Sequence, residues 1–172
     1  MTYTDLVEAI AGKISALWPD RMLYRDFCPV DHQRPAGFLY VREAGWTDVN
    51  IGLVEWSFDA ELELFAETDE YDAESTEALR ADQAAVLALF GGPSLAVGDR
   101  HIILTAAAEI FCPKNFHTGK IHVTANTVSI HHFTASWLDR RPGYQDPEAQ
   151  TPESGGAPLM EDFALHISNG KD

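Results

Sequence analysis

"VEWSFDAELEL", Val54 to Leu64, alternates without a break. Val54, Trp56, Phe58, Ala60, Leu62 and Leu64 occupy one side of an extended chain, and Glu55, Ser57, Asp59, Glu61 and Glu63 the other. Strict period-2 alternation over this length predicts a strand with one face buried and one in water. What covers the apolar side must come from the flanking sequence.

Upstream, Leu6, Ile10, Ile14 and Leu17 fall on one helical stripe, widened by Val7, Ala11 and Trp18. Thr2-x-x-Asp5 resembles a capping box, and Pro19 stops this helix. A short apolar piece, Met22 to Tyr24, and a polar loop through Asp31, Gln33 and Arg34 lead to "GFLYV" (Gly37 to Val41), which reads as a second strand. Downstream, a helix is predicted over about Asp72 to Phe90, with Leu79, Val86 and Phe90 facing inward and Gly91-Gly92-Pro93 ending it. A Gly98-Asp99 turn then opens a strand from His101 to Phe111. A loop from Cys112 to Lys120 joins it to "IHVTANTVSIHHFTASW", Ile121 to Trp137, as an antiparallel hairpin.

That last stretch changes parity. Ile121, Val123 and Ala125 are inward on odd positions, Val128 and Ile130 on even ones, and Phe133, Ala135 and Trp137 on odd ones again. One slip near Ala125–Val128 and another at His131–His132 predict bulges and a long, bent strand. From Asp139 to Pro158 the chain is rich in Pro, Gly and charge and reads as a long loop. Phe163, Leu165 and Ile167 then alternate with polar residues as a final strand. The expected whole is one α+β domain over 1–172, an antiparallel, bent sheet with two main helices packed on it. Its expected core is Leu6, Ile10, Ile14, Phe38, Trp56, Phe58, Leu62, Val86, Phe90, Ile102, Leu104, Val128, Ile130 and Leu165.

The 172 residues are 45% hydrophobic, enough for one sizeable core. With 27 Asp and Glu against 12 Lys and Arg, the net charge is −15, which repels phosphate backbones and anionic lipid. Specific nucleic-acid binding and a membrane are therefore not expected as partners. No apolar run approaches 18 residues, and no basic-then-apolar leader is seen. Cys28 and Cys112 stand far apart without a C-x-x-C, which favours a reduced compartment while leaving one disulfide open.

Two groups of side chains invite a chemical reading. Glu55, Asp59, Glu61 and Glu63 form a row on the outer side of one strand. Close carboxylates can divide acid and base roles, but such a row is more commonly a solvated, association-resistant face. The histidines invite a metal reading. Matching Ile102 to Ile130 and Leu104 to Val128 sets His101 opposite His131, with Asp99 two residues earlier, and two histidines with a carboxylate can ligate a metal. Against this, no H-x-H or H-E-x-x-H spacing is present, and cross-strand polar packing is the commoner explanation of such a pair. No serine stands in a G-x-S-x-G elbow. The residues thus favour no catalytic role, no cofactor and no metal, with Asp99, His101 and His131 as the enzymatic alternative.

The order of pieces resembles a known family more than any side chain does. "LWPDRMLYRD", the "RPAGFLYV" strand, "VGDRHI" and the closing "PLMEDFALHI" with Asn169-Gly170-Lys171 run through nearly the whole chain. Together they resemble the phage tail terminator proteins of long-tailed bacteriophages and prophages, especially the small family from phages of Gram-positive bacteria. The chain departs from that pattern in its Pro-rich loop after Trp137 and in "EIFCPKNFHTGK". The resemblance implies an α+β domain forming a ring, commonly a hexamer, that caps the finished tail tube. The ring stops polymerisation and presents a docking surface to the head connector. Implied partners are other copies of the chain, the tail tube protein and head–tail connector proteins; the implied location is the virion tail, after the host cytoplasm. A ring needs head-to-tail contacts that close. Under this reading Glu55, Asp59, Glu61 and Glu63 are candidates to line an acidic lumen, and Arg140, Arg141 and Tyr144 a partner-contact loop. Another tail or baseplate component is the nearest alternative.

Overall fold

The structure, a computed structural model, describes residues 1–68, 70, 74–111, 117–118, 121–122 and 128–145. At 111, 117–118, 121–122 and 128 only the backbone is described. Contacts divide the chain into two compact units, Met1–Arg141 and Pro142–Asp172. The first holds every element below. The expected final strand, with Leu165, and most of the 139–158 loop lie outside the described residues, as does the parity slip near Ala125–Val128.

Helix α1 (Tyr3–Leu17) opens with the expected capping box. The Thr2 hydroxyl accepts from the Asp5 amide at 3.3 Å, and the Asp5 carboxylate accepts from the Thr2 amide at 2.7 Å. Leu6, Ile10, Ala11 and Ile14 are its buried stripe. The short apolar piece becomes β1 (Met22–Arg25), and the second strand is β2 (Ala36–Asp48), far longer than "GFLYV". The decisive alternation forms β3 (Leu53–Phe65). Helix α2 (Thr76–Leu89) starts later than expected because Ser75, whose hydroxyl accepts from the Ala78 amide, is its N-cap. The expected strand over 101–111 is broken in two. β4 (Leu95–Val97) and β5 (Arg100–Ile102) form their own hairpin about Gly98-Asp99, and β6 (Leu104–Phe111) belongs to the main sheet. Within the stretch expected to be loop and strand, β7 (His117–Thr118) and β8 (Ile121–His122) make a two-residue ladder. β9 (Val128–Arg140) runs two residues into the segment expected to be loop.

The main sheet has the order β1-β2-β3-β9-β6. β2, β3, β9 and β6 pair antiparallel, but β1 runs parallel to β2, from Met22 opposite Ala36 to Arg25 opposite Leu39. The fold is α+β, and the sheet is mixed rather than antiparallel throughout. The parallel pair arises because the segment from Asp26 to Pro35 returns the chain to run beside β1 in the same direction.

Both helices pack on one face. Leu6, Ile10 and Ile14 from α1 and Leu79 and Val86 from α2 share a core with Leu39, Phe58, Leu62, Leu64 and Phe133. Each such buried side chain contributes about 1.5–3 kcal/mol of transfer free energy. Leu95, Val97 and Ile102 of the small hairpin close the same core. Two core expectations are corrected. Phe38 is only half-buried, because Leu39 is the inward residue at that point of β2, and Ile130 is half-buried on the outer face. Val128 has no described side chain, and Trp56 is partly buried against the core.

The slip expected at His131–His132 does not occur. β3 and β9 pair in one unbroken register from Leu53 opposite Arg140 to Leu64 opposite Ser129. Odd positions therefore stay inward throughout the described part of β9, and Ser129 and His131, not Ile130, are fully buried. The register shift lies instead in β2, between Val41 and Glu43 opposite β3. Arg42 is the extra residue there, which is why Leu39 and Val41 face inward before it and Ala44 and Trp46 after it.

Candidate functional site

The face of the sheet opposite the helices carries the acidic row, and it is not uniformly solvated. Glu55 and Ser57 are exposed, Asp59 and Glu63 are half-buried, and Glu61 is 9% exposed. Register explains the gradient. Tyr40, Glu61 and His132 stand side by side on β2, β3 and β9, so one carboxylate is flanked by two ring-bearing side chains. The bulge adds Arg42, whose guanidinium Nη1 lies 2.8 Å from Glu61 Oε1. His132 Nδ1 lies 3.2 Å from the same oxygen, and its Nε2 lies 3.6 Å from Glu109 Oε1 on β6. The Tyr40 hydroxyl donates to Glu61 Oε2 in a short hydrogen bond and lies 3.1 Å from Glu63 Oε1. Burial, reinforced by these two carboxylates, pushes the Tyr40 phenol far above its ordinary range, so it stays a neutral donor. Glu61 is thus engaged by a guanidinium and an imidazole on Oε1 and by a phenol on Oε2. That arrangement ties three strands together at one register position.

The alternative metal triad is not assembled. Asp99 is exposed in the turn between β4 and β5. His101 pairs with Ala96, not His131, and its Nδ1 lies 3.2 Å from Ser94 Oγ. His131 is wholly buried between Leu62 and Ala108, with Nε2 3.4 Å from the Gln83 carbonyl oxygen of α2. The expected pairing failed because Ile102 belongs to the β4–β5 hairpin, and β6 takes Leu104 opposite Ala135 instead of Val128. Among the described residues no group of three His, Cys, Asp or Glu side chains is placed to hold a metal ion.

Arg140 and Arg141 are structured rather than part of a loose loop. Arg140 ends β9. Arg141 pairs with Asp48 at 2.6 Å, lies over the Trp46 ring at 5.7 Å, and donates its amide to the Gly52 carbonyl. Asp139 is the neighbouring anchor. Burial pushes its carboxyl up, but the Arg140 amide and the Arg100 guanidinium, both at 2.8 Å, outweigh that and hold it below the usual range. Tyr144 lies in the second unit.

Sequence reasoning missed three features. Tyr40 and Arg42 join the acidic row, and a signal was present: both sit in "LYVRE", flanking the inward Val41. The ion pair of Arg21 with Asp82, at 2.5 and 3.1 Å, ties the turn between α1 and β1 to the buried side of α2 and has no local sequence signature. An open groove of about 690 Å³ lies between the start of α1 and the outer edge of β2, lined by Tyr3, Val7, Arg25, Val41, Arg42 and Ala44 among others. Among the described residues no helix is long and apolar enough to cross a membrane. No protein-family model matches this chain, and no curated protein matches it.

Proposed function

We propose that this chain is a structural protein of a phage or prophage tail, a terminator whose ring caps the tail tube, stops its growth and offers the head-joining surface. The observation that carries the reading is the two-sided sheet. Three 13-residue strands pack both helices on one face, while the other face, among the described residues, bears Glu55, Asp59, Glu63 and the partnered Glu61. A lumen lined in this way repels phosphate and lets DNA pass without capture. The expected bend of the sheet belongs to the same proposal; the bulge at Arg42, which curves a strand locally, supports it. The likeness of "LWPDRMLYRD", "RPAGFLYV", "VGDRHI" and "PLMEDFALHI" to tail terminators adds the specific role.

In this reading the chain is not an enzyme and needs no cofactor. Its partners are further copies of itself, the tail tube protein and the head–tail connector, and it resides in the virion tail after assembly from the host cytoplasm. Light scattering on a sizing column, followed by addition to tail tubes, tests this. The expected result is a ring near 114 kDa, six chains of 19.0 kDa, or a monomer that becomes a ring on the tube end. Binding along the tube or at its far end would instead indicate another tail or baseplate component. No binding to tubes in any state would overturn the reading.

A further inference from the structure

We propose that the groove between the start of α1 and the outer edge of β2 receives an extended, basic segment of another protein, which pairs with β2 as an added strand. The inference does not rest on the tail reading. The sheet leaves a place for such a strand. β1 covers β2 only from Ala36 to Leu39. Just past it, the Asp26 amide still donates to the Leu39 carbonyl at 3.3 Å, and at Asp26 a left-handed φ of 60° takes the chain away from the edge. Among the described residues no strand pairs with β2 residues 40–48 on that side. Backbone donors and acceptors along this stretch are therefore open to an incoming segment. The groove, about 690 Å³, lies along the same stretch. It is lined by Arg25 and Asp26, by residues 41–44 of the β2 edge and by the first two turns of α1.

Charge decides what fits. Arg25 and Arg42 reach the groove, but each is already answered, Arg25 by Glu8 at 2.5 Å and Arg42 by Glu61 at 2.8 Å. Asp26 and Glu43 also line it, are exposed, and form no ion pair among the described residues. The unanswered charge in the groove is thus negative, on a chain of net charge −15. A second copy is poorly equipped to meet it, because Arg21, Arg25, Arg34, Arg42, Arg100 and Arg141 already pair with carboxylates. A different, basic protein is better matched. The edge also sets a pattern for the occupant. Val41 and Ala44 face the helix side, where Val7 of α1 lines the groove, whereas Glu43 stands opposite Asp59 on the other face. A strand laid on this edge points successive side chains to opposite faces. Apolar side chains on one side then meet Val7, Val41 and Ala44, and lysine or arginine on the other meets Glu43.

A dye-labelled peptide of four Lys-Val repeats, added to the full chain and followed by fluorescence anisotropy, tests the proposal. It should bind at least tenfold more tightly than its Glu-Val counterpart. It should also bind at least tenfold more tightly than the same Lys-Val peptide N-methylated at every residue, which has no amide donors for the ladder. On binding, hydrogen exchange should slow in residues 40–48. Glu43→Lys should weaken binding at least tenfold, and so should Thr4→Trp, which fills the groove from an exposed position on α1. Glu77→Lys, the same charge change at an exposed position on α2, should leave binding within twofold. Equal binding of the native and N-methylated Lys-Val peptides, or equal weakening by Glu43→Lys and Glu77→Lys, would show diffuse attraction to an acidic surface and overturn the proposal. No binding overturns it too. Self-association of the wild-type chain that Thr4→Trp abolishes would assign the groove to a second copy and likewise overturn it.

Discussion

Trp56 stands directly opposite Trp137 across β3 and β9, their rings 5.8 Å apart and within 5° of parallel. Trp46 continues the row on β2, opposite Trp56, but is 42% exposed under the Arg141 guanidinium. The stack therefore grades from buried to open across three strands. Trp137→Ala should cost about 3–5 kcal/mol through lost transfer energy and the cavity left behind. Trp46→Ala, at the open end, should cost about 1 kcal/mol. Urea midpoints at constant m-value measure both; equal losses would show that the row does not act through burial.

The acidic row makes a contrast within one strand. Glu61→Gln keeps the shape but removes the charge that Arg42 and His132 address, and should cost about 1–2 kcal/mol in thermal or urea unfolding. Glu55→Gln, at an exposed position of the same row, should stay within about 0.5 kcal/mol. If the two variants are indistinguishable, the row is a solvated surface along its whole length and the three-strand network carries no stability.

These two residues also mark how far the sequence could be read. Period-2 alternation set β3 and its faces correctly, since Val54, Phe58, Ala60, Leu62 and Leu64 are all buried. The 3.6-residue stripe and the capping box did the same for α1. Alternation failed where a polar residue is inward. His131 and Ser129 are buried, so an apolar pattern placed Ile130 inside and implied a slip that the register with β3 does not contain. It also gave no warning of the bulge at Arg42, because Leu39, Val41, Ala44 and Trp46 look like a simple loss of pattern until β3 supplies the partner positions. The mixed sheet was hidden for a similar reason: four residues of β1 carry no information on direction. Glu61 looked like its neighbours because its partners Tyr40 and His132 lie on other strands.

The hairpin at Gly98 depends on backbone conformation. Gly98 has φ of +61° at the first turn position between Val97 and Arg100, as a two-residue hairpin of the II′ kind requires. Gly98→Ala should destabilise by about 1 kcal/mol or more, since a Cβ strains that region. Gly45→Ala is the control. Its backbone is not in that region and an added Cβ meets nothing within 4 Å, so it should leave stability unchanged or raise it by about 0.5 kcal/mol. A neutral Gly98→Ala would mean that the turn relaxes without loss.

His131 gives the fold a dependence on pH. It is wholly buried beneath α2, and burial, the largest influence, holds its pKa below the ordinary 6.5 against the raising effect of the Gln83 and Leu62 backbones. Asp82 on α2 also favours the proton, and His132 opposes it. Asp82 is itself held by Arg21, so its charge is largely answered before it reaches the imidazole. In the unfolded chain the imidazole takes its proton near 6.5; in the folded chain it resists doing so until lower pH. The unfolded state therefore binds more protons between the two values, and stability rises with pH there. The contribution is full above 6.5 and is lost as pH falls below 6.5 toward the folded value. His131→Leu removes the titrating group at similar volume and should flatten this limb. Urea midpoints at about pH 7.5 and about pH 5.5 in both proteins measure it. If the leucine variant loses as much stability on acidification as the wild type, the acid sensitivity belongs to other groups and His131 is silent in this range.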